Sequence, residues 1–260
     1  VGALKSVAVP NEDGSYSVSG QKIYISWADN DFTENVCHLV LARLPGSPEG
    51  TKGISLFMVP KLIPDKFGQP GVANTLKVVS LEHKLGLHGS PTAVMQYENA
   101  LGWIVGEPNQ GMASMFTMMN NARLGVGGQG IAVAEAAYQK ALSFSMERVQ
   151  GQPLGGGKTI LGHADVRRML AEMKADVFAA RAIGAACALA IDMGNATASK
   201  NWISQAAFLT PIAKAFGTDI GIEVSQTGIQ VHGGMGFIEE TGASQFLRDV
   251  RVTAIYEGTN

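Results

Sequence analysis

Hydrophobic residues recur with two different periods along this chain. From Val1 to about Glu107 they come in short runs (Tyr16 to Val18, Ile23 to Ser26, Cys37 to Leu44, Gly53 to Pro60, Leu76 to Leu81, Ala93 to Tyr97) separated by Asp-Gly, Pro-Gly and Gly-Ser turns. Runs of this length between turn dipeptides predict β-strands, and their regular spacing predicts a sandwich or barrel. Residues 60–72, rich in Pro, Gly and charge, are expected to form a loop or a long hairpin connection. After Gly111 the period lengthens. Met112, Met115, Phe116 and Met119 stand at helical spacing, and the pattern runs past Tyr138 and Leu142 to Arg148. The Met-rich start of that stripe is expected to be core packing. A second stripe runs from Val166 through Met173, Ala180 and Cys187 to Ile191. A third covers 204–231, where Pro211 is expected to start a new segment or kink the helix. Residues 150–157 and 194–200 read as linkers. The fold class is therefore α+β and multidomain, with a β-sandwich or barrel over residues 1–107 followed by an all-α helical bundle over 108–260.

Composition narrows the classes of partner. With 260 residues, 46% of them hydrophobic, the chain can bury a substantial core. A formal charge of −2 with only 16% charged residues offers no basic field for nucleic acid or an anionic membrane. No apolar run approaches the roughly 20 uncharged residues of a membrane span. The two cysteines, Cys37 and Cys187, have no metal-ligand spacing and read as buried free thiols in a reducing compartment, and no metal site is expected. The chain opens without Met and stops just past Glu257, so a piece of a longer protein is expected, truncated at both ends.

Two phosphate-like strings are set aside. Gly125-Val126-Gly127-Gly128-Gln129-Gly130 fits a dinucleotide fingerprint but lies in helical periodicity with no strand before it. Gly155-Gly156-Gly157-Lys158-Thr159 lacks the leading glycine of a P-loop, having Gln152 in its place. More specific are Ile255-Tyr256-Glu257-Gly258-Thr259, a Glu beside a Gly-Thr pair after an apolar segment, and Gln230-Val231-His232-Gly233-Gly234-Met235-Gly236-Phe237. A helix-ending turn accounts for one glycine of the latter string, hardly three. In Lys22-Ile23-Tyr24-Ile25-Ser26, period 2 places Ile23 and Ile25 on one face and Tyr24 and Ser26 on the other, a pairing that also suits the plain solvent face of a strand.

In order and content these segments resemble the acyl-CoA dehydrogenase family over essentially the whole chain. Glu82-His83-Lys84-Leu85-Gly86-Leu87-His88-Gly89-Ser90-Pro91-Thr92 and Met118-Met119-Asn120-Asn121-Ala122-Arg123 are similar to its 3-methylmercaptopropionyl-CoA dehydrogenase branch. The resemblance implies an FAD-dependent oxidoreductase that converts an acyl-CoA thioester to a trans-2-enoyl-CoA. Glu257 would take the Cα proton while hydride leaves to flavin N5. It implies that Tyr24 and Ser26 cover the flavin edge, in place of the usual Trp and Thr, and that Thr259 meets FAD. Arg148, Gln230, Gly233 and Gly234 would reach the FAD of a neighbouring subunit, and His163 is carried over weakly because Ala164 replaces a usual Gln. Asn120, Arg123 and Gly258 would contact acyl-CoA. Some relatives carry the base on the helix just before the Arg; Ala122 here leaves that role to Glu257. His232 reads as a packing residue. Electron-transfer flavoprotein is the implied acceptor and a homodimer or homotetramer the implied assembly, in the bacterial cytoplasm or a mitochondrial matrix. An oxidase on the same fold and a non-catalytic flavin-binding scaffold stay open as alternatives. The chain by itself is expected to be inactive.

Overall fold

A computed structural model describes the whole chain, Val1–Asn260, as two compact units. The strand unit comprises residues 1–84 and 88–118. Its main sheet is built from β1 (Val7–Pro10), β2 (Tyr16–Ser26), β3 (Cys37–Arg43), β4 (Ile54–Pro60), β7 (Leu76–Leu81) and β8 (Thr92–Val105). The order is β2-β1-β3-β4-β8-β7, and a further β2–β8 pairing closes the first five strands on themselves. The predicted sandwich or barrel is therefore a barrel, and closure leaves those strands without an open edge. Alternate residues fill it: Val40 and Ala42, Phe57 and Val59, and Met95 and Tyr97 are all buried in one cluster. Burying Phe57 completely contributes about 2–3 kcal/mol.

The strand pattern departs from expectation in three places. Two expected runs, Tyr16 to Val18 and Ile23 to Ser26, are one strand of 11 residues, because β8 offers a continuous partner on which β2 crosses its irregular steps. Val7–Pro10, four residues outside every expected run, is a strand held by pairing with β2. The stretch 60–72 carries a separate hairpin, β5 (Leu62–Pro64) with β6 (Pro70–Ala73). Cys37 opens β3 on an outward-facing position and is exposed, whereas Cys187 is buried; the expectation of two buried thiols holds for Cys187 only.

The helical unit comprises residues 85–87 and 119–260. Its elements are α1 (Gly111–Glu147, whose first two turns belong to the strand unit), α2 (Ala164–Thr197), α3 (Lys200–His232) and the short α4 (Ala243–Val250). Ala134, Ala137 and Ala141 of α1 meet Met173 and Val177 of α2 and Ile220 and Val224 of α3 in one core. The Met stripe that opens α1 is not in either core: Met112, Met115 and Met119 are half-buried and Phe116 is 42% exposed. Pro211 neither ends nor begins a helix, since α3 runs through it, leaving the Ala207 carbonyl without its helical donor. The expected linker 194–200 shrinks to Ala198 and Ser199, with Ala198 in the left-handed region at φ 50°. By length and mean hydropathy α2 is apolar enough to cross a bilayer, although Arg181 and Asp192 keep it from being an uncharged run of that length. Its buried stripe of Met169, Leu170, Met173, Val177 and Ala180 packs into the bundle core, as a core helix does.

The decisive packing lies between α1 and α3. A Cβ on Gly130 would fall 2.3 Å from the Gly217 carbonyl oxygen, and one on Gly217 would fall 2.7 Å from that of Gly127. The string set aside as a dinucleotide fingerprint is thus a stretch of helix whose glycines let two backbones touch. Gly128, on the other side of α1, has open space around it. We expect Gly130→Ala to destabilise the chain by about 1–3 kcal/mol through overpacking. Gly128→Ala should leave stability unchanged or raise it by up to about 1 kcal/mol through helix propensity. Urea unfolding of the two variants checks this, and equal effects would refute the seam.

Candidate functional site

Glu257 sits in a turn that follows α4 and a 3-10 turn over Arg251–Ala254. Its backbone is left-handed, φ 55°, and Gly258 follows at φ 95°. A non-glycine residue held there costs about 1–3 kcal/mol, so surrounding groups must impose the conformation. They come from both sides of the glycine seam. From α1, Arg123 donates a long hydrogen bond of 3.4 Å to the Glu257 carbonyl, and Gln129 accepts one from the Tyr256 hydroxyl. From α3, Lys214 donates to the Gly258 carbonyl at 2.6 Å and to Asn260 Oδ1 at 2.8 Å. Asn260 in turn donates to Thr218 Oγ1 at 2.9 Å and Asp219 Oδ1 at 2.7 Å. The Lys214 side chain is buried, and burial lowers its pKa, against the opposing pull of Asp219 and Glu257. Burial likewise raises that of Tyr256.

A second group lines a groove of about 450 Å³ in the same unit. Arg148, just past the end of α1, stands there with Phe144, Gln150, Met235, Gly233 and Gly234. The three glycines of the 230–237 string divide by role. Gly236 is packed, since a Cβ there would lie 2.3 Å from the Ile229 carbonyl oxygen, whereas Gly233 and Gly234 have nothing within 4 Å of the position a Cβ would take. Gly233 also needs its glycine conformation, φ 57° with ψ −138°. Beneath the groove His232 is buried, bonded through Nδ1 to the Gly228 carbonyl at 2.7 Å and stacked on Phe144. That is a packing role.

Residues 109–260 match the family model described as acyl-CoA dehydrogenase, C-terminal domain. The chain belongs to the acyl-CoA dehydrogenase family. It is 50% identical to a 3-methylmercaptopropionyl-CoA dehydrogenase of Ruegeria pomeroyi, over 98% of this chain and 45% of that protein. It is 37% identical to a butyryl-CoA dehydrogenase of Syntrophomonas wolfei, over 100% of this chain and 45% of that protein. A solved structure of Caenorhabditis elegans ACDH-11 in complex with C11-CoA superposes with TM-score 0.87 at 27% identity, covering 99% of this chain and 42% of that one. The chain thus spans about half the length of the curated relatives it matches.

Of the residues singled out from sequence, Arg123, Glu257 and Gly258 come together in the turn, and Arg148, Gly233 and Gly234 in the groove. Thr259 is exposed beside the turn, Asn120 is exposed one helical turn before Arg123, and Gln230 is exposed at the end of α3 outside the groove's lining. His163 caps α2, and its Nε2 bonds the Gln150 carbonyl at 2.9 Å, tying down the turn after Arg148. Sequence reasoning missed Lys214, Gln129 and Asn260. A readable signal existed for Lys214, which falls at positions i, i+3, i+4 and i+7 with the small residues Gly217, Thr218 and Gly221, an odd setting for a solvated lysine.

In the strand unit, Tyr24 and Ser26 lie on β2, but not on the simple alternation expected. Lys22 pairs with Met95 and Ile25 with Ala93, so β2 spends three residues where β8 spends two. This bulge puts Tyr24 in the left-handed region at φ 61°, leaving its ring 72% exposed. Ile25 packs on the barrel core while Ile23 is 53% exposed, so the two isoleucines do not share a buried face. Ser26 Oγ lies 3.4 Å from Thr92 Oγ1. The loop that follows is pinned by buried His38, whose Nε2 meets the Ala28 carbonyl at 2.6 Å and whose Nδ1 meets the Tyr97 hydroxyl at 2.8 Å.

Lys22 anchors the same strand by donating to the Leu41 carbonyl at 2.7 Å, and burial pushes its pKa down to about 8. From there up to the 10.5 of a free lysine, the unfolded chain holds a proton that the folded chain lacks, so stability rises with pH across that window. Urea unfolding of wild type and Lys22→Met from pH 7 to 10 should therefore show the wild type gaining relative to the variant. A pH-independent difference would contradict the assignment.

Proposed function

We propose that this chain provides the carboxylate base and much of the cofactor-facing surface of an FAD-dependent acyl-CoA dehydrogenase, producing a trans-2-enoyl-CoA. The observation that carries the proposal is the strained turn at Glu257, fixed by cationic and polar side chains from two helices. A conformation that costs free energy and is imposed from several sides is what a pre-organised catalytic group needs. Glu257 removes the Cα proton of the bound thioester. That proton is a very weak acid, so the turn also serves by presenting backbone donors toward the thioester carbonyl.

The residues present fit the cofactor. Open space beside Gly233 and Gly234, together with the planar guanidinium of Arg148 in one groove, suits a pyrophosphate and an adenosine. On the strand unit, Tyr24 and Ser26 are the groups we assign to the flavin edge; on the helical unit, Thr259 is assigned to FAD. When bound, FAD supplies the acceptor for the Cβ hydride. We propose that Arg148 and the glycine pair serve the FAD of a second copy, which makes the working unit at least a dimer, and that an electron-transfer flavoprotein receives the electrons. The 50% identity to a 3-methylmercaptopropionyl-CoA dehydrogenase makes sulfur-containing acyl-CoAs the first substrates to try.

In the full-length protein, Glu257→Gln should keep its FAD while anaerobic flavin bleaching by acyl-CoA slows by about 10³-fold or more. Arg148→Ala should weaken FAD binding by about 10- to 100-fold, the worth of a charge-assisted hydrogen bond. Normal bleaching by the Glu257 variant would end the assignment.

A further inference from the structure

Lys214 sits on α3 with its side chain only 4% exposed. A lysine is rarely buried without compensation, and a Met would fill a similar channel with no ammonium to desolvate. The ammonium is used at two points, the Gly258 carbonyl at 2.6 Å and Asn260 Oδ1 at 2.8 Å. Arg123, from α1, takes the carbonyl of the preceding residue, Glu257. Consecutive carbonyls are therefore each held by a cation from a different helix, on the residues whose backbones are left-handed at φ 55° and 95°. Fixing both carbonyl directions fixes the peptide planes on either side of Gly258, and with them the direction in which the Glu257 side chain leaves the backbone.

We infer that Lys214 is a positioning residue for Glu257: its buried ammonium clamps the turn in the strained conformation and keeps a positive charge close to the carboxylate. The inference rests on the reading of Glu257 as the base. The charged groups around the ammonium are Asp219 on its own helix and Glu257 on the turn, both attracting it, and Arg123 on α1, repelling it. The turn also presents Tyr256, a phenol neutral at physiological pH whose pKa burial raises further. Asn260 extends the clamp by joining the ammonium to Thr218 and Asp219.

The test uses full-length, flavin-loaded protein carrying Lys214→Met, Asn260→Ala or Glu257→Gln. Anaerobic flavin reduction is followed at saturating acyl-CoA, with the acyl-CoA dissociation constant and thermal unfolding measured in parallel. For Lys214→Met we expect reduction slower by about 10²-fold, the effect of misplacing a reacting group by about an ångström. Substrate affinity should change little, so that the loss falls on the reduction rate and not on binding. Asn260→Ala, at the exposed end of the network, should slow reduction by about tenfold with unchanged unfolding. A wild-type rate in Lys214→Met, beside an inactive Glu257→Gln, would overturn the positioning role alone. Should Lys214→Met not fold, a wild-type rate in Asn260→Ala overturns it. Wild-type reduction by Glu257→Gln would instead overturn the reading of Glu257 itself, and the positioning role with it.

Discussion

The contact between α1 and α3 through Gly127, Gly130 and Gly217 is the constraint on which the rest of the helical unit depends. Ordinary side chains would hold two helices about 8–10 Å apart. With hydrogen atoms in place of side chains, the backbones meet, and the residues flanking the contact approach each other as well. Arg123 and Gln129 on one helix and Lys214 on the other thereby reach the same short turn. A methyl group in the seam would push these anchors apart before it disturbed anything else.

What the seam positions is a strained piece of backbone. The turn at Glu257 has few hydrogen bonds of its own and is held from outside, by groups that stand on long helices rather than on loops. Rigid supports suit a residue held in one strained conformation, because long helices tolerate little positional error. Using a buried lysine as one support carries a desolvation penalty, offset by its two hydrogen bonds and by Asp219 and Glu257 nearby. The groove around Arg148 follows a different logic. There the glycines are open rather than packed, and the empty space faces a cation, as a site for a phosphate-bearing ligand requires. On β2 a third device appears, a bulge that turns Tyr24 outward from the barrel wall.

Much of this was legible in the chain. Period 2 giving way to period 3.6 near Gly111 located strands and helices, because burying one face of an element imposes that element's own repeat on its apolar residues. Glu257, Arg123, Arg148, Gly233 and Gly234 each lie in a short string of unusual composition, which is what singles them out as candidates. Period counting failed where a single residue is inserted, at the Lys22–Ile25 bulge, because an added residue shifts the face of everything near it while leaving composition untouched. At Pro211 one of the two expected outcomes, a new segment, is excluded because α3 runs through it.

The sequence by itself determined the kinds of element, the approximate place of the change from sheet to helix, and the short strings that hold the candidate residues, since these follow from local periodicity and side-chain type. Only the tertiary structure decided that the strands close into a barrel, that the helical glycines form a seam instead of a nucleotide loop, and that Lys214, Gln129 and Asn260 converge on the turn at Glu257. Those facts depend on which distant segments meet. Residues 44 positions apart, such as Lys214 and Gly258, leave no local periodic trace of their contact, because their meeting is fixed by how closely two other helices can pack.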